Sequence, residues 1–159
     1  MSAVLKPQRA RLTPMSAPQI EDVVRIENDI YEFPWTAGNF SDSISAGYHC
    51  WVAQEANVIF GYAVVMIGAG EAHLLNLSVA RGAQGRGMGR ALLAEVMAAA
   101  LACGAHNMLL EVRPTNRIGR ALYARSGFVQ LGVRKAYYPA KGGREDALVL
   151  GCALGGTTA

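Results

Sequence analysis

The chain has 159 residues, 52% of them apolar and 17% charged, a balance that excludes a disordered or low-complexity chain and fits one domain, with an ordered core over about residues 9–154. Its formal net charge of +3 is too small, and its basic residues too evenly mixed with acidic ones, for a nucleic-acid binder. No apolar run reaches the roughly 18 residues of a membrane span, and Met1 to Met15 carries Lys6, Arg9 and Arg11 where a secretion signal needs an apolar core, so a soluble cytoplasmic protein is expected.

In chain order, Arg9 to Thr13 is expected as a first strand. Ser16 with Gln19 reads as a capping box, and Ile20, Val23, Val24 and Ile30 then recur on one face of a helix ending near Ile30. Phe33-Pro34-Trp35 breaks that helix, and Thr36 caps a short second one carrying Phe40 and Ile44. Cys50 to Gln54 and Val58 to Ile67 form a hairpin about a turn at Glu55 to Asn57, and Glu71 to Val79 is a further strand. After the loop Ala80 to Arg86, a long helix presents Leu92, Leu93, Val96, Met97, Ala100 and Leu101, with Gly104 as its C-terminal cap. Met108 to Val112 is a buried strand, Asn116 caps a helix ending at Gly127, and Phe128 to Val133 and Ala147 to Ala153 are the last strands. Tyr137 to Asp146, with Pro139 and Gly142-Gly143, is expected as a loop. This order specifies an α+β domain with helices on both faces of a largely antiparallel sheet.

Gln84-Gly85-Arg86-Gly87-Met88-Gly89 opens the long helix. Glycines let backbone N–H groups approach a ligand, the helix start adds partial positive charge, and the two together favour a phosphate. A glycine-rich turn without a ligand is the alternative. Two nucleotide loops are excluded, because Arg90 stands where GxGxxG needs glycine and Met88 where a P-loop needs lysine.

Leu77-Ser78-Val79, the Gln84 to Gly89 loop and Arg90-Ala91-Leu92-Leu93 together resemble the acetyl-CoA signature of the GNAT acetyltransferases. The resemblance implies a six- to seven-stranded, mostly antiparallel GNAT sheet, loop amides wrapped around the pyrophosphate, and a strand splayed from its neighbour to pair with the pantetheine arm. Gly85 stands where that family often has arginine, a contact Arg86 or Arg81 could replace.

Glu111 is a lone carboxylate in an apolar strand, a costly placement unless it is paired with an arginine or lies at an open end of the sheet. Tyr123 lies two helical turns beyond Asn116, and spacing alone reads it as a core aromatic between Leu122 and Phe128. However, Leu110-Glu111-Val112-Arg113-Pro114-Thr115-Asn116, Ala121-Leu122-Tyr123 and Gly127-Phe128 are similar to a block of the ribosomal-protein-alanine acetyltransferases, the RimI family. Phe33-Pro34-Trp35-Thr36, Tyr137-Tyr138-Pro139 and Arg144-Glu145-Asp146-Ala147 extend the likeness over about residues 33 to 147.

That resemblance implies Glu111 as general base through water, Tyr123 as the acid that protonates the leaving thiolate, Asn116 on the pantetheine, and the Val79 amide on the thioester carbonyl. It also implies direct transfer in a ternary complex from acetyl-CoA to the N-terminal segment of a small-subunit ribosomal protein. Tyr31, Phe33 and Trp35, with Tyr137 and Tyr138, read either as walls of a peptide groove or as plain packing. His49, His73 and His106 match no base of the family and read as structural or exposed; Cys50, Cys103 and Cys152 read as small buried hydrophobes, with no metal site. Acetylation of a small-molecule amine and a non-catalytic acyl-CoA-binding module are the competing functions, and the second predicts loss of Glu111 or Tyr123. Oligomeric state is not encoded in any of these features.

Overall fold

Ser16 opens the first helical segment as expected: its N–H donates to the Gln19 side chain at 2.9 Å, and a turn of 3-10 helix over Ala17–Gln19 leads into α1 (Ile20–Ile30). The computed structural model describes residues 10–155; Arg9 and the tail from 156 on lie outside them. The first strand, β1, is Leu12–Pro14. Thr36 and Asn39 close a reciprocal capping box over α2 (Ala37–Ser45), with bonds of 2.9 and 3.1 Å.

The remaining elements are β2 (His49–Glu55), β3 (Val58–Gly68), β4 (Glu71–Val79), α3 (Met88–Ala102), β5 (Asn107–Val112), α4 (Arg117–Arg125), β6 (Val129–Ala140) and β7 (Gly143–Ala153). Their order is that expected from sequence. Ala56 and Asn57, both at positive φ, make the two-residue turn between β2 and β3 that right-twisted strands favour. The strands form one mixed sheet in the order β1-β2-β3-β4-β5-β7-β6. Pairing is antiparallel for β1 with β2, β5 with β7 and β6 with β7, and parallel for β4 with β5. Tyr62, Ala63, Val64 and Val65 are all fully buried, and since successive strand residues face opposite ways, β3 is covered on both faces.

Two compact units with interleaved sequences make up the chain: the first takes in the chain up to Val64 with Asn76–Val96, the second Val65–Leu75 with the chain from Met97 onward. In the first, Val23 and Phe40 of the two early helices are buried, as are Leu92, Leu93 and Val96 of α3. Gly61 is needed there because a Cβ would stand 3.0 Å from Leu92 Cδ2 and 3.2 Å from the Ser78 carbonyl oxygen.

Glu27 is also buried in that unit. Its carboxyl group accepts from Tyr62 Oη at 2.6 Å, Asn76 Nδ2 at 3.1 Å and the Trp35 N–H at 2.9 Å. Truncation strands three donors away from water, each costing about 1–3 kcal/mol. Glu27→Ala is therefore expected to lower the unfolding free energy by about 3 kcal/mol or more in urea titrations; a loss below about 1 kcal/mol would show that the three donors find other partners.

The second unit holds two departures from expectation. Tyr137 to Asp146 is not a loop: it forms the end of β6, a turn at Lys141-Gly142 and the start of β7, with Tyr138 opposite Glu145 and Pro139 opposite Arg144. Pro139 is tolerated because β6 is the edge of the sheet, where a missing N–H need not break a ladder. A bulge between Arg134 and Tyr138 hides the period of two, and Ala136 sits in it at φ 50°. Asp146 accepts the Ala136 N–H at 2.8 Å and Arg144 donates to the Ala136 carbonyl at 2.7 Å, so the charged block clamps the bulge.

The cysteines differ too: Cys50 is buried, Cys152 only partly so, and Cys103 is exposed, since it falls in the turn just after α3 ends. Leu101, in the last turn of the same helix, is likewise 41% exposed rather than in the core.

Candidate active site

In the first unit, the end of β4 and the loop after it carry the residues of the expected cofactor site. The parallel register between β4 and β5 runs from Glu71 opposite Asn107 to Leu74 opposite Leu110 and stops there, although β4 continues to Val79 and β5 to Val112. Gln84 folds back so that its Nε2 donates to the Val79 carbonyl at 2.9 Å, closing the turn at the base of the loop. Gly85 and Gly87 adopt φ of 78° and 75°, and a Cβ at either would meet no protein atom within 4 Å. Their need for glycine is conformational, and the space above them is open.

Met88, Gly89 and Arg90 form the first turn of α3, where N–H groups have no acceptor within the helix. Arg81 Nε donates to Asp29 Oδ2 at 3.1 Å and its guanidinium also reaches the Asp29 carbonyl, tying the loop to α1. Arg86 is exposed beside the glycines.

Tyr31 holds β4 from the other side. Its hydroxyl lies 2.7 Å from Ser78 Oγ and donates to the Leu77 carbonyl at 3.3 Å, and Ser78 in turn donates to Asn76 at 2.6 Å. Burial, opposed by the Ser78 hydrogen bond and reinforced by the charge of Glu27, pushes the Tyr31 hydroxyl up to about 12, so it stays a neutral donor. The Trp35 ring lies 5.2 Å from that of buried Phe40, and Phe33 is 40% exposed.

The second unit holds the two residues expected to act in catalysis, Glu111 and Tyr123. Glu111 lies on the less buried face of β5, yet its side chain is only 7% exposed. One carboxylate oxygen is 2.5 Å from His73 Nε2 on β4, and the other is 3.4 Å from Arg134 Nε on β6. Burial works against the charged carboxylate, but the His73 hydrogen bond and the charges of His73 and Arg134 outweigh it and hold Glu111 below the usual carboxylate range. The arginine pairing anticipated from sequence is present, and the histidine was missed. No spacing rule links residues 38 apart; only the register that sets His73 opposite Leu109, two residues before Glu111 on the same face, joins them.

A carboxylate with a depressed folded pKa contributes stability that is present above the unfolded value of about 4.3 and lost as pH falls through the folded one. Melting curves of wild type and Glu111→Gln are thus expected to differ most above about pH 4.3 and to converge below it. A gap that stays constant down to pH 3 would remove the ion pair as its cause.

Asn116 caps α4 by accepting the Gly119 N–H at 2.9 Å, which commits its side-chain oxygen and leaves its NH₂ as the end available to a ligand. The Tyr123 ring packs edge-on against Phe128 at 5.6 Å, and this contact orients it. Tyr137 and Tyr138 lie edge to face at 4.9 Å, with the Arg113 guanidinium 4.4 Å over the Tyr138 ring. Burial and the nearby Glu111 charge raise the Tyr138 hydroxyl pKa. His49 stacks near Trp51 and His106 bonds Gly70 through its backbone, both structural placements. Among the described residues no three His, Cys, Asp or Glu side chains gather to hold a metal, and no helix is long and apolar enough to cross a membrane.

Comparison with known proteins adds three findings. The acetyltransferase (GNAT) family pattern matches residues 20–128. A ribosomal protein bS18-alanine N-acetyltransferase of Haemophilus influenzae is 33% identical over 144 residues, covering 90% of this chain and 98% of the relative. Among solved structures, the ribosomal-protein-S18-alanine N-acetyltransferase of Escherichia coli superposes with a TM-score of 0.84 at 28% identity, over 91% of this chain and 93% of the other. A phosphinothricin acetyltransferase from Sinorhizobium meliloti, solved with acetyl-CoA, shares the fold with a TM-score of 0.76 at 22% identity, over 95% and 91% of the two chains.

Proposed function

The chain belongs to the acetyltransferase (GNAT) family, and on that premise we propose that it transfers an acetyl group from acetyl-CoA to the N-terminal α-amine of a protein. The substrate class is an N-terminal alanine such as that of a small-subunit ribosomal protein, met in the cytoplasm by one catalytic domain spanning the chain. The likeness over 98% of the length of a bS18-alanine acetyltransferase carries this reading. The retained carboxylate and phenol, Glu111 and Tyr123, favour an enzyme over a passive acyl-CoA-binding module.

Acetyl-CoA fits the first unit. Gly85, Arg86, Gly87, Met88 and Gly89 offer backbone N–H groups at the start of a 15-residue helix, which suits a pyrophosphate. Leu77, Ser78 and Val79 offer strand backbone to the pantetheine amides; in the second unit, Asn116 is assigned to the same ligand by the family resemblance. Bound there, the thioester supplies the activated acetyl group.

At neutral pH a sizeable fraction of an α-amine, with pKa of about 7.7–8.0, is protonated and must lose a proton before it attacks. Glu111 belongs on that side of the reaction, and Tyr123 on the side of the departing thiolate, which it protonates as the C–S bond breaks. Direct attack within a ternary complex needs no enzyme nucleophile. Tyr31, Phe33 and Trp35 in the first unit, and Tyr137 and Tyr138 in the second, are the aromatic side chains assigned to the substrate peptide.

Gly87→Val forces a β-branched residue to positive φ and fills the open space above the loop. Calorimetry is expected to show at least a tenfold loss of acetyl-CoA affinity, about 1.4 kcal/mol. Unchanged affinity would move the phosphates to another loop.

A further inference from the structure

We infer that His73 and Glu111 work as a dyad in which His73 Nδ1 takes the proton from the substrate ammonium while Glu111 holds the ring and stabilises the imidazolium. This deepens the reading of the chain as an N-terminal amine acetyltransferase and rests on it. Its ground is geometric: His73 Nε2 lies 2.5 Å from Glu111 Oε2, and Arg134 occupies the other carboxylate oxygen. Both oxygens of the expected base are therefore engaged by protein groups. The imidazole is the more accessible partner, 24% exposed against 7% for the carboxylate.

The register explains why the two meet. His73 and Leu109 are opposite one another in the parallel pair, and Glu111 follows Leu109 on the same, less buried face. An N–H on Nε2 aimed at the carboxylate fixes the tautomer and leaves the lone pair on Nδ1. The proton balance closes: an N–H bond of the ammonium breaks, an Nδ1–H bond forms, the freed amine attacks the thioester carbonyl, and the imidazolium later returns its proton to solvent.

Brønsted matching favours this division of labour. Imidazoles as a class are closer in basicity to an α-amine than carboxylates are. Hydrogen bonding from His73 and the Arg134 charge favour the carboxylate form of Glu111, which suits it to pairing with a cation. The other charged or titratable groups around the pair are Arg134 and Tyr138 on β6, Arg113 just after β5 with its partner Glu145 on β7, and Glu71 two residues earlier on β4.

The test is turnover of an alanine-terminated peptide against pH for wild type, His73→Gln, Glu111→Gln and the double variant, with acetyl-CoA affinity and melting temperature recorded for each. The dyad predicts a loss of about 10²–10⁴-fold in His73→Gln at neutral pH, partly recovered at high pH, with cofactor affinity kept. It also predicts a double variant no slower than the worse single one. A His73→Gln enzyme within a few-fold of wild type, alongside an impaired Glu111→Gln, overturns the dyad and leaves Glu111 as base. Wild type that acetylates no amine overturns the underlying reading instead. Should His73→Gln melt too early to assay, ¹⁵N shifts of the wild-type imidazole decide: the Nε2–H tautomer supports the dyad, and Nδ1–H refutes it.

Discussion

Glu111→Gln is expected to bind acetyl-CoA as wild type does and to turn over an alanine-terminated peptide about 10²–10⁴-fold more slowly at neutral pH. The amide keeps the shape of the carboxylate. It can neither take a proton nor stabilise a charged His73 ring 2.5 Å away, and it leaves the Arg134 charge without its partner. The loss should be greatest below the amine pKa of about 7.7–8.0, where the substrate is mostly protonated, and smaller above it, where solvent has removed the proton. A purely structural ion pair predicts the earlier melt alone, with the pH profile of the remaining activity unchanged. Turnover against pH, measured beside melting temperature, separates the two.

Tyr123→Phe is expected to reduce turnover by a similar factor, about 10²–10⁴-fold, with acetyl-CoA affinity nearly unchanged. Phenylalanine retains the edge-on packing against Phe128 at 5.6 Å and removes only the phenolic O–H. The change therefore isolates proton donation to the thiolate from the ring's part in holding α4 against the start of β6. A variant within a few-fold of wild type would reduce Tyr123 to that packing role.

Much of this fold was readable in the residues because local physics agrees with the tertiary outcome. Thr36 and Asn116 announce helices by capping them, and Gly104 ends α3 in the left-handed conformation, at φ 96°. Val58 to Gly68 is apolar enough to specify a buried strand without any partner in view. The reading failed where long-range pairing overrides local signals. Pro139 and Gly142-Gly143 carry the marks of a loop, but the clamp of Asp146 and Arg144 on Ala136 carries a bulged strand through them.

The same limit governs the site. Gln84 to Gly89 are consecutive, so their shared task can be seen in a short stretch of chain. The pairing of His73 with Glu111, and the tie from Tyr31 to Leu77 and Ser78, span 38, 46 and 47 residues and follow only from which strands lie side by side and where the end of α1 packs on them. The Arg81–Asp29 ion pair, 52 residues apart in sequence, is equally invisible to local reading.

The central claim is tested most directly by mixing the protein with acetyl-CoA and a peptide that begins with alanine and carries an internal lysine, then locating any added mass by fragmentation. The account predicts a gain of one acetyl group on the α-amine. No gain, or acetyl found on the lysine with the α-amine untouched, would contradict it.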